Sequence, residues 1–338
     1  MSKVRWGVLS TANIATKKVI PAMLQGSYTE VAAISSRSVE SAREAAASLG
    51  IAKAYGSYEE LLADPDIDVI YNPLPNHLHC EWSVKAMEAG KHVLCEKPLG
   101  MTVDDVENLI KTRDRCGVKA GEAFMVKSHP QWLAARDQVT AGDIGRLRMI
   151  QGTFSYYNAD PANIRNIPEI GGGAMWDIGC YPVTLSRFIF REEPLRVAAS
   201  FELDPEMGTD RLSCVIMEFP SGKAMFGVST QLVPFQRMHL FGTNGHLEVV
   251  VPFNAPKDRP CQLRYDAGSV LQDEVHIQSF ETMDQYTAQA DDFSRAVLLD
   301  GEVPSTLEDA LANTRVLMAI FRAAAEKRWV DVRLIGAR

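Results

Sequence analysis

The sequence predicts a two-domain protein in which an α/β domain with a parallel sheet is followed by an α+β domain with a mostly antiparallel sheet. Over residues 1–124, short apolar runs alternate with helical patterns of about 10 to 15 residues, as in successive βαβ units. Over residues 125–338, strand-like runs follow one another directly, and two helices and a strand close the chain. A chain of 338 residues is long enough for two domains.

In the first domain, apolar runs precede helical patterns that end at a glycine. The run "TEVAAIS" precedes a helix ending at Gly50, "IDVIYN" precedes one ending at Gly90, and "KHVLCE" precedes one ending at Gly117. The opening "VRWGVL" and the later "VKAGEAF" complete the set of strands. Because these runs are almost entirely apolar, helices are expected to cover both faces of the sheet.

Strand-like runs and short turns dominate the second domain up to its closing helices. The runs are "RLRMIQGTFSYY", "RVAASFEL", "RLSCVIMEF", "KAMFGVSTQL", "RMHLFG" and "HLEVVV". The turns "PSGK" and "TNG" are typical of hairpins, so the sheet is expected to be largely antiparallel. Helices are predicted over "MDQYTAQADDFSRAVLLDG" and "STLEDALANTRVLMAIFRAAAEKR", the second capped by Ser305 or Thr306, before a last strand "WVDVRLI".

Composition and charge exclude several classes of partner. The formal net charge of −8 is unsuited to nucleic acid, because phosphate binding requires clustered basic residues. No apolar stretch approaches the roughly 18 residues of a membrane span, and "MSK" leads straight into a strand-like run, so a cytoplasmic location is expected. The six cysteines are scattered, and His77 and His79 have no third ligand at a suitable spacing, so neither a disulfide framework nor a metal site is expected.

The turn after the first strand, "GVLSTANIA", has the form of a dinucleotide-binding turn that lacks its glycines. Ser10, Ala12 and Ala15 stand where the pattern G-x-G-x-x-G has glycine. Their small side chains leave the backbone accessible to a pyrophosphate, and the amides of the following helix supply donors. A turn of small residues that serves packing alone would look the same. The residues expected to bind the pyrophosphate or its ribose are Ser10, Thr11, Ala12, Asn13 and Ile14, and a bulky side chain at Ala12 is expected to abolish this binding.

The end of the second strand favours NADP as the cofactor. NAD-binding domains place an acidic residue about 20 residues after the glycine pattern, where it holds the ribose hydroxyls. Ser36 and Arg37 occupy that place, and Arg37 suits a 2′-phosphate or the adenine ring. NADP is therefore expected, with NAD as the alternative. A solvated loop arginine would give the same pattern.

A lysine follows another strand of the first domain, in "CEKPLG". Ligands of parallel α/β sheets bind at the carboxyl ends of the strands, so Lys97 is expected to face that crevice. Pro98 fixes the backbone after the lysine, with a cis peptide bond as one form. A surface lysine in a turn is the alternative.

The segment "GGGAMWDIGCYP" carries the other candidate catalytic groups. Three glycines precede a helix in which Asp177 and Tyr181, as residues i and i+4, share one face. A carboxylate and a phenol near a lysine make a proton-transfer set, because the Lys97 ammonium favours the phenolate. An ordinary amphipathic helix would also produce this segment.

Taken together, these motifs resemble those of the glucose–fructose oxidoreductase / inositol dehydrogenase family (Gfo/Idh/MocA). The likeness runs, in order, through "GVLSTANIA", "SSRS", "NPLPNHLH", "CEKPL", "GGGAMWDIGCYP" and "LEDALANTRVLMAI". It implies a Rossmann domain, a second domain with a large open-faced sheet that supports homodimers or homotetramers, a catalytic lysine, and an Asp–Tyr or Asp–His pair. Because position 181 is a tyrosine and not a histidine, the sequence is more similar to the branch that contains dihydrodiol dehydrogenase and NADP-dependent D-xylose dehydrogenase.

The resemblance also implies roles for residues that are less strongly marked by their pattern. His129 is expected to contact substrate or to begin a helix, and Trp176 to pack in the core or to flank the sugar pocket. Arg165 is expected to reach cofactor or substrate, unless it is a surface arginine. The other residues expected at the cofactor are Leu74, Pro75, Asn76 and His79 beside the nicotinamide ribose, and Glu96 and Met125 in the nicotinamide pocket.

The function implied is that of an NADP-dependent oxidoreductase acting on a sugar, polyol or vicinal diol. Tyr181 is expected to be the general base, Lys97 to hold the substrate oxygen, and Asp177 to orient the substrate or the lysine. Aldoses of the xylose type and dihydrodiols are both open as substrates. Two other functions remain: a glycosidase that uses a transient redox cycle on bound NAD, and a non-catalytic NADP-binding regulator, against which the proton-transfer set argues.

Overall fold

The computed structural model describes residues 2–336, which form two compact units. Of these residues, the first unit comprises 2–128 and 284–311. The second comprises 129–283 and 312–336.

The first unit is built on a parallel sheet. Its strands in the described residues are β1 (Val4–Leu9), β2 (Thr29–Ser35), β3 (Lys53–Tyr55), β4 (Val69–Asn72), β5 (His92–Cys95) and β6 (Ala120–Glu122). They lie in the order β3-β2-β1-β4-β5-β6, with parallel pairing throughout these strands. The intervening helices are α1 (Ile20–Met23), α2 (Val39–Leu49), α3 (Tyr58–Leu62), α4 (His79–Glu88) and α5 (Val103–Cys116). Because the strand order reverses between β1 and β4, the ligand crevice of such a sheet lies at the carboxyl ends beside this point.

The second unit contains a larger, mostly antiparallel sheet, as the sequence predicts. Its strands are β7 (Leu147–Tyr157), β8 (Arg196–Leu203), β9 (Asp210–Glu218), β10 (Lys223–Ser229), β11 (Gln231–Gly242), β12 (His246–Val249), β13 (Cys261–Asp266), β14 (His276–Phe280) and β15 (Val330–Asp331). They lie in the order β14-β13-β12-β11-β7-β10-β9-β8-β15, and β7 pairs with β10 in parallel. The helices from residue 129 onward are α6 (Pro130–Ala141), α7 (Cys180–Phe190), α8 (Gln285–Leu298) and α9 (Leu307–Glu326). Within residues 2–336, none of the helices is both long enough and apolar enough to cross a membrane.

Helix α8 belongs to the first unit, although the sequence placed all of residues 125–338 in the second domain. Trp6 of β1 is fully buried, and its indole N–H donates to Ser294 Oγ at 3.1 Å. The Trp6 and Phe293 rings also pack with centroids 5.6 Å apart. Helix α8 therefore covers part of the parallel sheet. Because Trp6 and α8 lie near opposite ends of the sequence, no local sequence pattern indicates this contact.

Phe293→Ala is expected to lower the free energy of unfolding by about 3 to 5 kcal/mol, because a buried aromatic ring is lost. The Phe293 side chain is 1% exposed. Urea denaturation followed by tryptophan fluorescence measures the change. The control is Leu299→Ala at the end of the same helix, where a side chain that is 76% exposed should change stability by less than about 0.5 kcal/mol. Equal, small losses in both variants would contradict the placement of α8 in the core.

Candidate active site

The turn after β1 uses a serine where a glycine is expected. Ser10 has φ +70°, in the left-handed region that glycine adopts without steric cost. Its Oγ accepts a hydrogen bond from the Ala12 N–H at 3.1 Å, which closes the turn locally. The Ser10 oxygen therefore stabilises the turn itself, in addition to the contact with phosphate that the sequence suggests for its hydroxyl.

The helix after this turn contains a π-helical turn, Ala15–Val19, that runs into α1. The Ala12 carbonyl accepts from the Thr16 N–H at 3.0 Å, and Ala15 is fully buried. Because the first N–H groups of a helix have no partner within it, the amides at Asn13 and Ile14 remain available to an acceptor. A positive φ, small side chains and available amides fit a pyrophosphate. π-Helical turns are also frequent at functional sites.

The carboxyl end of β2 carries Ser36, Arg37 and Ser38, none of which is acidic. Arg37 is exposed, and Ser38 caps α2 by accepting from the Ser41 N–H at 3.3 Å. Burial raises the pKa of Tyr58, and the nearby Arg37 guanidinium opposes this shift. The end of β2 thus presents a cation and hydroxyls, which suit a phosphate better than a pair of ribose hydroxyls.

His79 braces two loops at the carboxyl ends of β4 and β5. Its side chain is buried, with Nε2 lying 2.7 Å from the Leu74 carbonyl oxygen and Nδ1 lying 2.8 Å from that of Pro98. Burial lowers the pKa of His79 to about 4, against the opposing effect of the two carbonyls. His79 was expected beside the cofactor ribose, but both ring nitrogens face protein carbonyls. Leu74 is also buried, whereas Pro75 and Asn76 of the same loop are half-buried.

The turn that carries Lys97 is held by a buried carboxylate that the sequence did not single out. The Lys97–Pro98 peptide is cis. The next N–H, that of Leu99, donates to Glu122 Oε1 at 2.8 Å. Glu122 is buried at the end of β6. Its carboxylate therefore fixes the turn that follows the neighbouring strand β5.

Glu96 lies against two phenols of the first unit. The Tyr71 hydroxyl donates to Glu96 Oε1 at 2.6 Å. Burial, followed by the Glu96 charge, raises the pKa of Tyr71 far above its ordinary value, and the same two causes raise the pKa of Tyr286 on α8. Both phenols therefore stay neutral beside the carboxylate. Met125, expected in the same pocket, is buried.

In the second unit, the glycines at 171–173 let the chain pack against itself. Gly173 has φ +114°, and a Cβ there would lie 2.0 Å from Asp210 Oδ1. A Cβ on Gly172 would lie 2.6 Å from the Ile167 carbonyl oxygen. Gly172 and Gly173 thus allow close contacts within the protein.

Asp177 is shared between a guanidinium and a phenol. Its Oδ1 accepts from Arg165 Nε–H at 3.1 Å, and its Oδ2 accepts from the Tyr156 hydroxyl at 2.5 Å. The Asp177 charge raises the pKa of Arg165, whereas burial, followed by Asp177, raises the pKa of Tyr156. Arg165, whose side chain is 44% exposed, is therefore the ion-pair partner of Asp177. Tyr156, near the end of β7, was missed, since nothing in "FSYY" distinguishes it from its neighbour Tyr157.

Tyr181 lies in α7 with its ring among aromatic side chains. Phe154 meets it edge-on at a centroid distance of 5.8 Å, and Phe253 is tilted against it at 5.7 Å. The π-helical turn Met175–Gly179 precedes α7, so Asp177 and Tyr181 are separated by a wider turn than the expected α-helix. Tyr181 is nevertheless close enough to Arg165 to contribute to the raised pKa of the guanidinium.

The side chains of two further candidates, His129 and Trp176, make structural contacts within the second unit. His129 is buried at the start of α6, where its Nδ1 accepts from the Gln131 N–H at 3.2 Å. Burial lowers its pKa to about 4. Of the two expectations for His129, the helix-start residue agrees with this geometry. Trp176 stacks on Phe321 of α9 at a centroid distance of 4.9 Å, which is a packing contact.

Comparison with known proteins identifies the class to which this fold and site belong. Residues 4–124 match the model of an oxidoreductase family with an NAD-binding Rossmann fold, and residues 132–248 match the GFO/IDH/MocA C-terminal domain. The protein is therefore an NAD(P)-dependent oxidoreductase with a Rossmann domain. The chain belongs to the Gfo/Idh/MocA family.

Relatives cover almost the full length of the chain. It is 45% identical to an uncharacterised oxidoreductase of Rhizobium meliloti, over 98% of this chain and 100% of that protein. It is 36% identical to D-xylose 1-dehydrogenase (NADP(+)) 2 of Haloferax volcanii, over 94% and 97% of the two chains. The crystal structure of aldose-aldose oxidoreductase from Caulobacter crescentus superposes with a TM-score of 0.89 at 25% identity, over 97% of this chain and 99% of that one.

Asp210→Asn is expected to alter how stability depends on pH. Burial raises the pKa of Asp210 to about 6, above the ordinary value of about 4. Between these values the folded state binds more protons than the unfolded state, so this carboxyl lowers stability as the pH rises, and its penalty is complete above about pH 6. The amide has no such penalty.

The stability of Asp210→Asn relative to the wild type should therefore increase by about 2 to 3 kcal/mol between pH 4 and pH 7. Urea titrations at a series of pH values measure it. Parallel curves for the two proteins would show that Asp210 does not titrate in this range.

Proposed function

We propose that this protein is an NADP-dependent oxidoreductase that transfers a hydride between the nicotinamide and a CH–OH group of an aldose, polyol or vicinal diol. The observation that carries the proposal is the group formed by Asp177, Arg165 and Tyr156 at the start of the helix that bears Tyr181, in a member of this oxidoreductase family. The bound nicotinamide supplies the hydride acceptor or donor. The protein supplies binding, orientation and proton transfer.

Tyr181 is assigned as the general base that takes the proton of the substrate hydroxyl. A phenol needs a nearby cation to act in this way near neutral pH, because a positive charge favours the phenolate. Arg165 lies close enough to Tyr181 for the two to interact electrostatically. Lys97 is assigned to hold the substrate oxygen. Asp177 fixes Arg165 and orients the group.

The charges of this group favour a neutral substrate. The Arg165 guanidinium is already paired with the Asp177 carboxylate 3.1 Å away, so it is not assigned to an anionic group of the substrate. The neighbouring Tyr156 and Tyr181 hydroxyls suit sugar or diol hydroxyls. The named activity of the Haloferax relative, on D-xylose, is consistent with such a substrate.

NADP is favoured over NAD because a cation stands at the end of β2. Arg37 is exposed there, with Ser36 beside it, and both are assigned to the 2′-phosphate. The residues assigned to the rest of the cofactor are Ser10, Thr11, Ala12, Asn13, Ile14, Leu74, Pro75, Asn76, Glu96, Lys97 and Met125. His79 and Arg165 are assigned indirect roles at the cofactor. His79 acts by holding the loops of Leu74 and Pro98, and Arg165 acts through its ion pair with Asp177.

The sheet of the second unit is assigned to self-association as a homodimer or homotetramer. Side chains alternate along β9, so that Val215 and Met217 are buried whereas Ile216 is exposed. Leu203 of β8 and Phe235 of β11 are also exposed apolar residues of this sheet. A second copy would remove such side chains from water. Light scattering at several concentrations tests this assignment.

A panel of aldoses, polyols and aromatic diols, assayed through nicotinamide absorbance with NADP and NAD, tests the function. Reduction of NADP by at least one aldose or vicinal diol supports it. Release of nitrophenol from a nitrophenyl glycoside without net cofactor reduction would indicate a glycosidase. Calorimetric binding of NADP with no turnover across the panel would indicate a regulatory protein.

Tyr181→Phe is expected to lower kcat by about 10²- to 10⁴-fold, because it removes the general base but keeps the ring packing. The affinity for NADP should stay unchanged. Steady-state kinetics and cofactor titration measure the two effects. Tyr157→Phe, which alters an exposed phenol of β7, is the matched control and should leave kcat unchanged. An unchanged kcat in Tyr181→Phe would refute the assignment.

Arg37→Ala is expected to raise KM for NADP by about 10- to 100-fold, because a charged hydrogen bond to phosphate is lost. KM for NAD should change by less than about threefold, since NAD has no 2′-phosphate. Arg43→Ala, on the exposed side of the following helix α2, is the control for loss of a positive charge. Equal effects on both cofactors would rule out phosphate recognition by Arg37.

A further inference from the structure

A buried aspartate of strand β9 contacts the start of the segment that bears Asp177 and Tyr181. Asp210 is the first residue of β9, and its side chain is 4% exposed. Its Oδ2 accepts from the Met175 N–H at 2.8 Å and from the Ser213 hydroxyl at 2.6 Å. Met175 is the first residue of the π-helical turn, so Asp210 satisfies a main-chain donor that has no partner within the helix.

The same carboxylate fits closely against Gly173. A Cβ at that position would lie 2.0 Å from Asp210 Oδ1, so the glycine is needed for this approach. The Gly173 N–H donates to the Arg165 carbonyl at 2.8 Å, and the Gly173 carbonyl accepts from the Asp177 N–H at 3.0 Å. Gly173 therefore links Asp210 to the backbone of both members of the Arg165–Asp177 ion pair.

We propose that Asp210 is a positioning residue, which fixes where the Met175–Gly179 turn begins and so sets the directions of Asp177 and Tyr181. This inference rests on the proposed function, in which those two side chains act on the substrate. Asp210 itself touches neither substrate nor cofactor in this role. Its effect passes through the Met175 N–H and the Gly173 backbone.

The hydrogen bonds predict different effects for the substitution of Asp210 by asparagine and by alanine. The bonds from Met175 and Ser213 both end on Oδ2, so an asparagine with its oxygen in that place retains them and loses the charge. An alanine loses both bonds and leaves the Met175 N–H without an acceptor. Because a shift of about 1 Å in a catalytic group can cost 10²-fold in rate, a loosened turn should lower kcat more than binding.

The experiment compares Asp210→Ala with Asp210→Asn in the full-length protein, on the most active substrate of the panel. Asp210→Ala is expected to lower kcat by about tenfold to hundredfold, with KM for NADP unchanged, and Asp210→Asn to retain kcat within about threefold. The matched control is Asp266→Ala, which removes a buried aspartate of the same sheet that accepts from the N–H groups of Gly268 and Ser269. It should reduce stability but leave kcat unchanged.

Two outcomes overturn the inference: a kcat for Asp210→Ala within about twofold of the wild type, or a loss in Asp266→Ala of equal size. Should Asp210→Ala yield no folded protein, Asp210→Ser takes its place with the same criteria, since its shorter side chain fills part of the space without reaching the Met175 N–H. Tyr181→Phe run alongside keeps the two proposals apart. If Tyr181→Phe retains kcat, the proposed function fails; if it loses kcat while Asp210→Ala does not, only the positioning role fails.

Discussion

Hydrogen bonds from main-chain N–H groups to buried carboxylates hold two of the segments that carry proposed catalytic groups, one in each unit. Glu122 accepts from the Leu99 N–H in the first unit, and Asp210 accepts from the Met175 N–H in the second. Burying a carboxylate is costly unless donors satisfy it. Each of these acids accepts from an N–H on the segment that carries a proposed catalytic group, so the carboxylate fixes the backbone there.

The backbone departs from regular geometry at two of the predicted functional segments. Ser10 adopts a positive φ after β1, and π-helical turns begin at Ala15 and at Met175. Such features persist only where the surroundings determine them. Here the Ser10 hydroxyl and the Asp210 carboxylate supply the local hydrogen bonds, and small residues supply the space. The glycine fingerprint is thus replaced by a turn in which a side-chain oxygen supports the conformation that glycine would adopt freely.

The sequence was sufficient for features that are encoded locally. Alternating apolar and helical patterns predicted the parallel sheet, and glycines such as Gly50 and Gly117 marked the helix ends that the structure contains. Contacts between distant residues were not predictable. Trp6 meets Ser294 across almost the whole chain, which is why α8 was assigned to the wrong domain. Asp210 and Met175 are likewise 35 residues apart, and their pairing leaves no periodic signal.

Hydride transfer to the nicotinamide is tested most directly by isotope labelling. D-Xylose deuterated at C1, or a vicinal diol deuterated at its carbinol carbon, is incubated with the protein and NADP, and the recovered cofactor is analysed by NMR. We expect deuterium at C4 of the nicotinamide, with one face labelled. Oxidised or cleaved product without deuterium in the cofactor would contradict the proposed reaction, as would a complete absence of transfer across aldoses and diols.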